Sequence, residues 1–316
     1  MTSDACSTLI IGKSGQVSSS LLGLLGGDGN RALAFGRPEI DLCDPQSVRR
    51  AILAARPKVV VNAAAYTAVD KAEDEPDVAY AVNATGAEAA AKAAAEIGAV
   101  IIHFSTDYVF DGCKRTPYVE TDAVSPIGVY GRSKQEGEER VAAANPKHII
   151  LRTAWVFSPF GNNFAKTMLR LGSERREIKV VDDQRGNPTY APDLAELVRK
   201  LLPLASAPAP DPRIFGTFHA VNQGETTWFG FAKAILEGAA RRGGREVTVL
   251  PISTREYPTK AERPAYSVLS TEKLRAVTGL ELRPWAEALS DCLDQLAGSP
   301  VREADARSQQ TDGKFA

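Results

Sequence analysis

The sequence predicts an α/β fold, a Rossmann-like doubly wound parallel sheet followed by a smaller C-terminal substrate lobe. Three observations carry this prediction. A short apolar run ends in a glycine-rich turn and enters a helical pattern. Further β-branched runs then alternate with helical stretches to about residue 155, which calls for crossovers that return each strand parallel to the last. The 316 residues are 44% hydrophobic and 24% charged, ordinary globular composition with length for one large domain or two smaller ones.

Thr8-Leu9-Ile10-Ile11 reads as a buried strand. It runs into Gly12-Lys13-Ser14-Gly15-Gln16-Val17-Ser18, then Leu21, Leu22, Leu24 and Leu25 at helical spacing. Strand, glycine turn and helix together make a dinucleotide-binding opening. Gly12 allows the tight turn, and Gly15 lets backbone approach a pyrophosphate seated on the helix N-terminus. The third position, usually glycine, is Ser18. Ala32-Leu33-Ala34-Phe35 is a weak strand. Pro45 to Ala55 reads as a helix with Asp44 as N-cap and Pro45 in its first turn. Val59-Val60-Val61 is a strong buried strand. Asp77 to Ile97 reads as one long alanine-rich helix stopped by Gly98. Ile101-Ile102-His103-Phe104 is a strand, Ser125-Pro126 opens the next helix, and Asn145-Pro146 closes it. Ile149-Ile150-Leu151 is a fifth strand. Pro203 to Pro212 reads as a loop, and Val247-Thr248-Val249 as a strand of the second lobe. These elements suggest a nucleotide-binding domain over residues 1–155, to which later segments return. A mainly substrate-binding lobe follows over 156–298, and the polar tail 299–316 reads as disordered.

Composition excludes several functions. A net charge of −1 gives nucleic-acid binding no support. Cys6, Cys43, Cys113 and Cys292 lack metal or redox spacing and suit a reducing cytoplasm. His103, His148 and His219 are not at ligand spacing, and His103 reads as a satisfied core residue. No signal peptide and no membrane span are expected.

Chemistry concentrates at the carboxyl ends of the strands. Asn62-Ala63-Ala64-Ala65 offers small residues beside which a flat cofactor ring can lie. In Ser105-Thr106-Asp107, Thr106 can donate to a substrate oxygen. Arg152-Thr153-Ala154-Trp155 ends in an indole able to stack on a ring. Each has a plainer reading: tight packing for the alanines, a turn cap for Thr106 and core for Trp155. The helix after Ser125-Pro126 holds Tyr130-Gly-Arg-Ser-Lys134, with Tyr130 and Lys134 on one face. A phenol ordinarily titrates near 10, and a neighbouring ammonium is expected to lower that value toward neutrality. The second strand ends Phe35-Gly36-Arg37. An arginine without an acid there suits a cofactor 2′-phosphate, so NADPH is expected in preference to NADH.

The chain resembles the extended short-chain dehydrogenase/reductase superfamily, and within it the dTDP-4-dehydrorhamnose reductases. The resemblance rests on the glycine turn and on Val61-Asn62-Ala63-Ala64-Ala65-Tyr66-Thr67-Ala68-Val69-Asp70. It rests also on Ser105-Thr106-Asp107-Tyr108-Val109-Phe110-Asp111-Gly112, Tyr130 with Lys134, Gly161-Asn162-Asn163-Phe164 and Arg263-Pro264. It implies hydride addition from NADPH to the C4 ketone of a dTDP-4-keto-6-deoxy sugar, with Tyr130 giving the proton. Lys134 would hold the nicotinamide ribose, Thr106 would orient the keto oxygen, and Asp107 and Trp155 would face the sugar nucleotide. Gly12, Gly15, Gln16, Val17, Asp41, Leu42, Ala63, Ala64 and Ala65 would line the cofactor. Some relatives hold magnesium between subunits through glutamates. The matching positions here are Ser20, Pro192 and Gln295, so no metal is expected, and a homodimer is left open. A nucleotide-sugar epimerase or dehydratase, or a non-catalytic relative such as the regulatory subunit of methionine adenosyltransferase, would share much of this pattern.

Overall fold

The computed structural model describes residues 7–26 and 32–298. Cys6 and the tail from Ser299 lie outside those residues. In chain order the strands are β1 (Thr8–Ile11), β2 (Ala32–Phe35), β3 (Val59–Asn62), β4 (Val100–Thr106), β5 (His148–Thr153), β6 (Val156–Phe157), β7 (Glu177–Val181), β8 (Arg185–Gly186), β9 (Thr189–Tyr190), β10 (Gly216–His219), β11 (Thr226–Thr227) and β12 (Thr248–Ile252). The helices are α1 (Gln16–Leu25), α2 (Pro45–Ala55), α3 (Val69–Ala72), α4 (Pro76–Tyr80), α5 (Ala87–Glu96), α6 (Val129–Ala144), α7 (Phe164–Glu174), α8 (Ala191–Ala205), α9 (Trp228–Ala240), α10 (Glu272–Thr278) and α11 (Trp285–Gly298).

Strands β10, β5, β4, β3, β1 and β2 lie side by side in that order, every neighbour parallel. Helices cover both faces, so successive strand residues are apolar. Leu9 and Ile11 pack with Val48 and Ile52 of α2 and the alanines of α5, while Ile10 packs with Leu21 of α1 and Leu194 and Val198 of α8. Strand order reverses between β1 and β3, which opens a crevice beyond their carboxyl ends. The Gly12 turn and the Ala63 loop meet there, with the Ala63 N–H donating to the Ile11 carbonyl at 3.1 Å. A separate cluster built from α7, α9, α11, β6, β7 and β9 gathers Phe157, Met168, Ile178, Tyr190, Phe231 and Leu289. No helix among the described residues is long and apolar enough to cross a membrane.

Helix α2 has the bounds its sequence signals give, and Asp44 accepts from the Gln46 N–H at 3.0 Å. Three expectations are corrected. The long helix over 77–97 begins at Pro76 and is interrupted by a π turn, Ala81–Gly86. Asn83 in that turn is fixed from outside by Tyr66 and Ser133, and Gly86 is pressed against the Leu42 carbonyl. Next, α6 starts at Val129 rather than Ser125, because the Glu73 carboxylate takes the Val129 N–H at 2.8 Å. Last, Pro203 does not begin a loop: α8 runs through it to Ala205. Burial of Leu201 and Ala205 holds that final turn in spite of the missing N–H.

Candidate active site

Helix α6 carries Tyr130 in its first turn and Lys134 one turn on, and both face the end of β4. Lys134 is 2% exposed. Its ammonium donates to the Phe104 carbonyl at 2.6 Å and lies 3.4 Å from His103 Nε2. Burial pulls its pKa down to about 8, opposed by the Glu138 carboxylate. Tyr130 packs edge-on against Tyr108, ring centroids 5.6 Å apart. Burial pushes its phenol up to about 12, opposed by a hydrogen bond with Thr106. The expected lowering of the phenol by Lys134 is therefore corrected. The two share a face, but no hydrogen bond joins them; the ammonium is spent on the β4 strand, and desolvation dominates the phenol.

Thr106 does cap a turn, accepting from the Tyr108 N–H at 3.2 Å, and it also donates to Asp107 Oδ1 at 3.1 Å. Asp107 is 2% exposed, and burial raises its carboxyl to about 6 against hydrogen bonds from Ser267 and Thr106. Thr106, Asp107, Tyr130 and Lys134 thus converge at one strand end.

The glycine turn fits a dinucleotide. Gly12 has φ +121°, and a Cβ there would lie 2.5 Å from Ser18 Oγ. Ser18 is fully buried and fills the third small position, so its hydroxymethyl group is accommodated only because Gly12 has no side chain. Helix α1 begins at Gln16 with no side chain capping it, which leaves its first N–H groups available to a phosphate.

The RmlD substrate binding domain family matches residues 6–297. The chain belongs to that family. The dTDP-4-dehydrorhamnose reductase of Sinorhizobium fredii is 47% identical over 88% of this chain and 94% of its own. A dTDP-4-dehydrorhamnose reductase from Clostridium acetobutylicum, solved by crystallography, superposes with TM-score 0.85 at 41% identity over 92% of this chain and 99% of that one. The Bacillus anthracis dTDP-4-dehydrorhamnose reductase, solved in complex with NADP, gives TM-score 0.86 at 38% identity, covering 92% and 99%.

In this RmlD-family chain the remaining sequence-predicted positions are spread over several elements. Gln16 Oε1 accepts from Ser158 at 2.8 Å and Asn163 at 3.0 Å, so its side chain reaches the loop before α7. Val17 packs on the sheet core. Ala64 lies against Gly12, and Ala65 precedes Tyr66, whose N–H and carbonyl are both held by Asn83 at 2.8 and 3.0 Å. Asp41 Oδ1 takes the Cys43 N–H at 2.9 Å, and Leu42 is buried. Trp155 has φ +46° and stacks on Trp228, centroids 3.6 Å apart. The ring it stacks on here is therefore a neighbour of its own chain, with Gly186 pressed close to the indole.

Arg37 is exposed just beyond β2. The reading of that strand end as lacking an acid is corrected. Glu39 lies there, paired with Lys13 of the glycine turn at 2.5 Å, and the Lys13 stem rests against Gly36. Glu73, Asp74 and Glu75 are contiguous carboxylates, and each has a partner. Glu73 caps α6, Asp74 pairs with Lys260, and Glu75 accepts from Tyr66 and pairs with Lys71. The Arg263-Pro264 string also finds its purpose in packing: Arg263 pairs with Asp70 at 2.9 Å, and Pro264 abuts Gly112. His103 and Asn83 were missed as site-building residues. The signal for Asn83 was a buried amide in an otherwise alanine-rich helix.

Proposed function

We propose that this chain reduces the C4 ketone of dTDP-4-dehydro-6-deoxy-L-mannose with NADPH, giving dTDP-L-rhamnose. The observation that carries the reading is the meeting of Thr106 and Lys134, both buried, with the half-buried Tyr130 at the end of β4, in a chain whose full-length relatives bear that reductase's name. NADPH supplies the hydride. The turn from Gly12 to Val17 holds the pyrophosphate on α1, Arg37 faces the 2′-phosphate, and Asp41 and Leu42 border the adenine. Ala63, Ala64 and Ala65 border the pyrophosphate or the nicotinamide, and the remaining N–H of Lys134 holds the ribose. Tyr130, protonated at neutral pH, gives its proton to the C4 oxygen as the carbon gains hydride. Thr106 orients that oxygen, and Asp107 and Trp155 border the sugar. A cytoplasmic location and a two-lobed division near residue 155 belong to the same reading, which leaves the oligomeric state open.

The test is an NADPH oxidation assay with the dTDP-4-keto sugar, run beside NADH, with the product sugar identified. Turnover to dTDP-L-rhamnose, faster with NADPH, is expected. Purified protein that carries stoichiometric NAD and epimerises a nucleotide sugar without consuming NADPH would overturn the reading.

A further inference from the structure

We propose that His103 is a positioning residue for Lys134, an imidazole that carries its proton on Nδ1, facing Asn62, and accepts from the Lys134 ammonium through Nε2. His103 sits on β4 directly beside Asn62 of β3, and both are 1% exposed. Asn62 Nδ2 lies 3.1 Å from His103 Nδ1, and Lys134 Nζ lies 3.4 Å from Nε2. Burial and the Lys134 charge keep His103 neutral, far below its ordinary titration range. A neutral imidazole has one donor and one acceptor nitrogen. An ammonium can only donate, so Nε2 must present its lone pair and Nδ1 must bear the proton.

Nδ1–H then requires an acceptor from Asn62. The Asn62 Oδ1 atom is buried without a partner. Amide oxygen and nitrogen exchange places on a half-turn of the side chain, and the bonding network decides which is which. The half-turn brings Oδ1 to Nδ1–H and leaves Nδ2 in the place of the unpartnered oxygen, so the amide has one partner in either orientation and the Lys134 ammonium, which needs the Nε2 lone pair, decides between them. If Lys134 instead loses its proton, Nε2–H can donate to the amine and the amide turns back. The tautomer of His103 therefore reports the charge of Lys134.

The other groups around Lys134 are accounted for. Glu138, one turn along α6, favours the ammonium but is itself paired with Arg152 of β5 at 2.7 Å. Tyr130 lies one turn earlier, and Asp107 faces Tyr130. His103 is the side chain that meets the ammonium within hydrogen-bonding distance, with the Phe104 carbonyl as its backbone partner.

The test has two arms, of which only the second rests on the reductase reading. First, long-range 1H–15N spectra of the cofactor-free wild-type protein at pH 6.5 are expected to show His103 as the Nδ1–H tautomer. They should show a change to Nε2–H above about pH 8, where Lys134 titrates. Second, His103→Phe removes the acceptor and His103→Gln restores one. The alkaline limb of kcat/KM is expected about one pH unit lower in the Phe variant, the worth of one hydrogen bond to a charged group. The Gln variant should recover most of that shift. An Nε2–H tautomer at pH 6.5 overturns the proposal. An unmoved alkaline limb in a folded Phe variant overturns it as well. A normal tautomer in a protein with no reductase activity would sink the functional reading alone.

Discussion

Lys134→Met probes how deeply the site has desolvated its cation. An unfolded lysine titrates near 10.5 and the folded one near 8, so folding disfavours the ammonium by roughly 3 kcal/mol. The sign follows from proton counting. Between those two values the unfolded chain binds more protons than the folded one, so stability rises with pH through that window. The penalty is fully present at neutral pH and is relieved above pH 8. From pH 7 to 9.5 it contributes a rise of about 2 kcal/mol. Methionine removes the penalty, and with it the hydrogen bonds to the Phe104 carbonyl and His103, each worth roughly 1.5–3 kcal/mol because the donor is charged. At pH 7 the variant should therefore lie between level with wild type and about 3 kcal/mol below it while its reductase activity is lost. Urea unfolding of both proteins at pH 7 and 9.5 measures this, since every other titrating group cancels in the comparison. A variant whose stability climbs with pH as steeply as wild type would refute the account of Lys134 as a desolvated cation.

Four further outcomes are expected. Tyr130→Phe should fold and bind NADPH while its rate falls by about 10² to 10⁴, and an unchanged single-turnover rate would remove the phenol from the mechanism. Arg37→Asp should lower the ratio of kcat/KM for NADPH over NADH by about tenfold or more, and more readily because Glu39 already stands nearby; an unchanged ratio means Arg37 does not face the 2′ position. Gly137→Ala places a Cβ 2.1 Å from the Asn83 carbonyl oxygen, and overpacking should outweigh the helix propensity gained, for a net loss of about 1–2 kcal/mol in urea unfolding; a stabilised variant would show that α6 and the π turn can part freely. Enzyme treated with EDTA should keep its activity, and a loss of rate or of assembly that magnesium restores would reveal a carboxylate site; among the described residues, no three of His, Cys, Asp and Glu cluster to hold one.

What was legible in the sequence was local. The strand, glycine turn and helix from Thr8 to Leu25 are contiguous, as are Asp44 with Pro45 at the start of α2. The Tyr130 and Lys134 pairing is one helical turn, and all of these are visible as spacing. What was not legible depends on register between elements far apart in the chain. The Lys134 contact with His103 exists because β4 lies beneath α6. The Lys13–Glu39 pair forms because the turn after β2 folds back to the glycine loop. Trp155 stacks on Trp228 through the packing of α7, α9 and α11. The π turn at Ala81–Gly86 was hidden for a related reason, since its alanines read as plain helix and only the outside grip on Asn83 sets it apart. Pro203 misled because proline is a reliable helix stop only where burial does not oppose it.

The state of Tyr130 before reaction bears on how such an acid would work. A phenol already drawn down to neutrality by Lys134 would owe part of its attraction to the ground state. Here burial raises the phenol and lowers the ammonium, and no bond joins them. Before the reaction the pair is a neutral acid and a cation, with little to gain from each other. On the proposed mechanism Tyr130 would become an anion one helical turn from the buried Lys134 cation as it gives up its proton, and their attraction would grow with that charge. That interaction exists only as charge develops, so it lowers the barrier without tightening the ground state. The cost of holding Lys134 dry at neutral pH, which Lys134→Met would expose as a missing rise in stability with pH, is on this reading the source of that late attraction. A site that kept its lysine hydrated would fold more stably at pH 7 and stabilise the phenolate less.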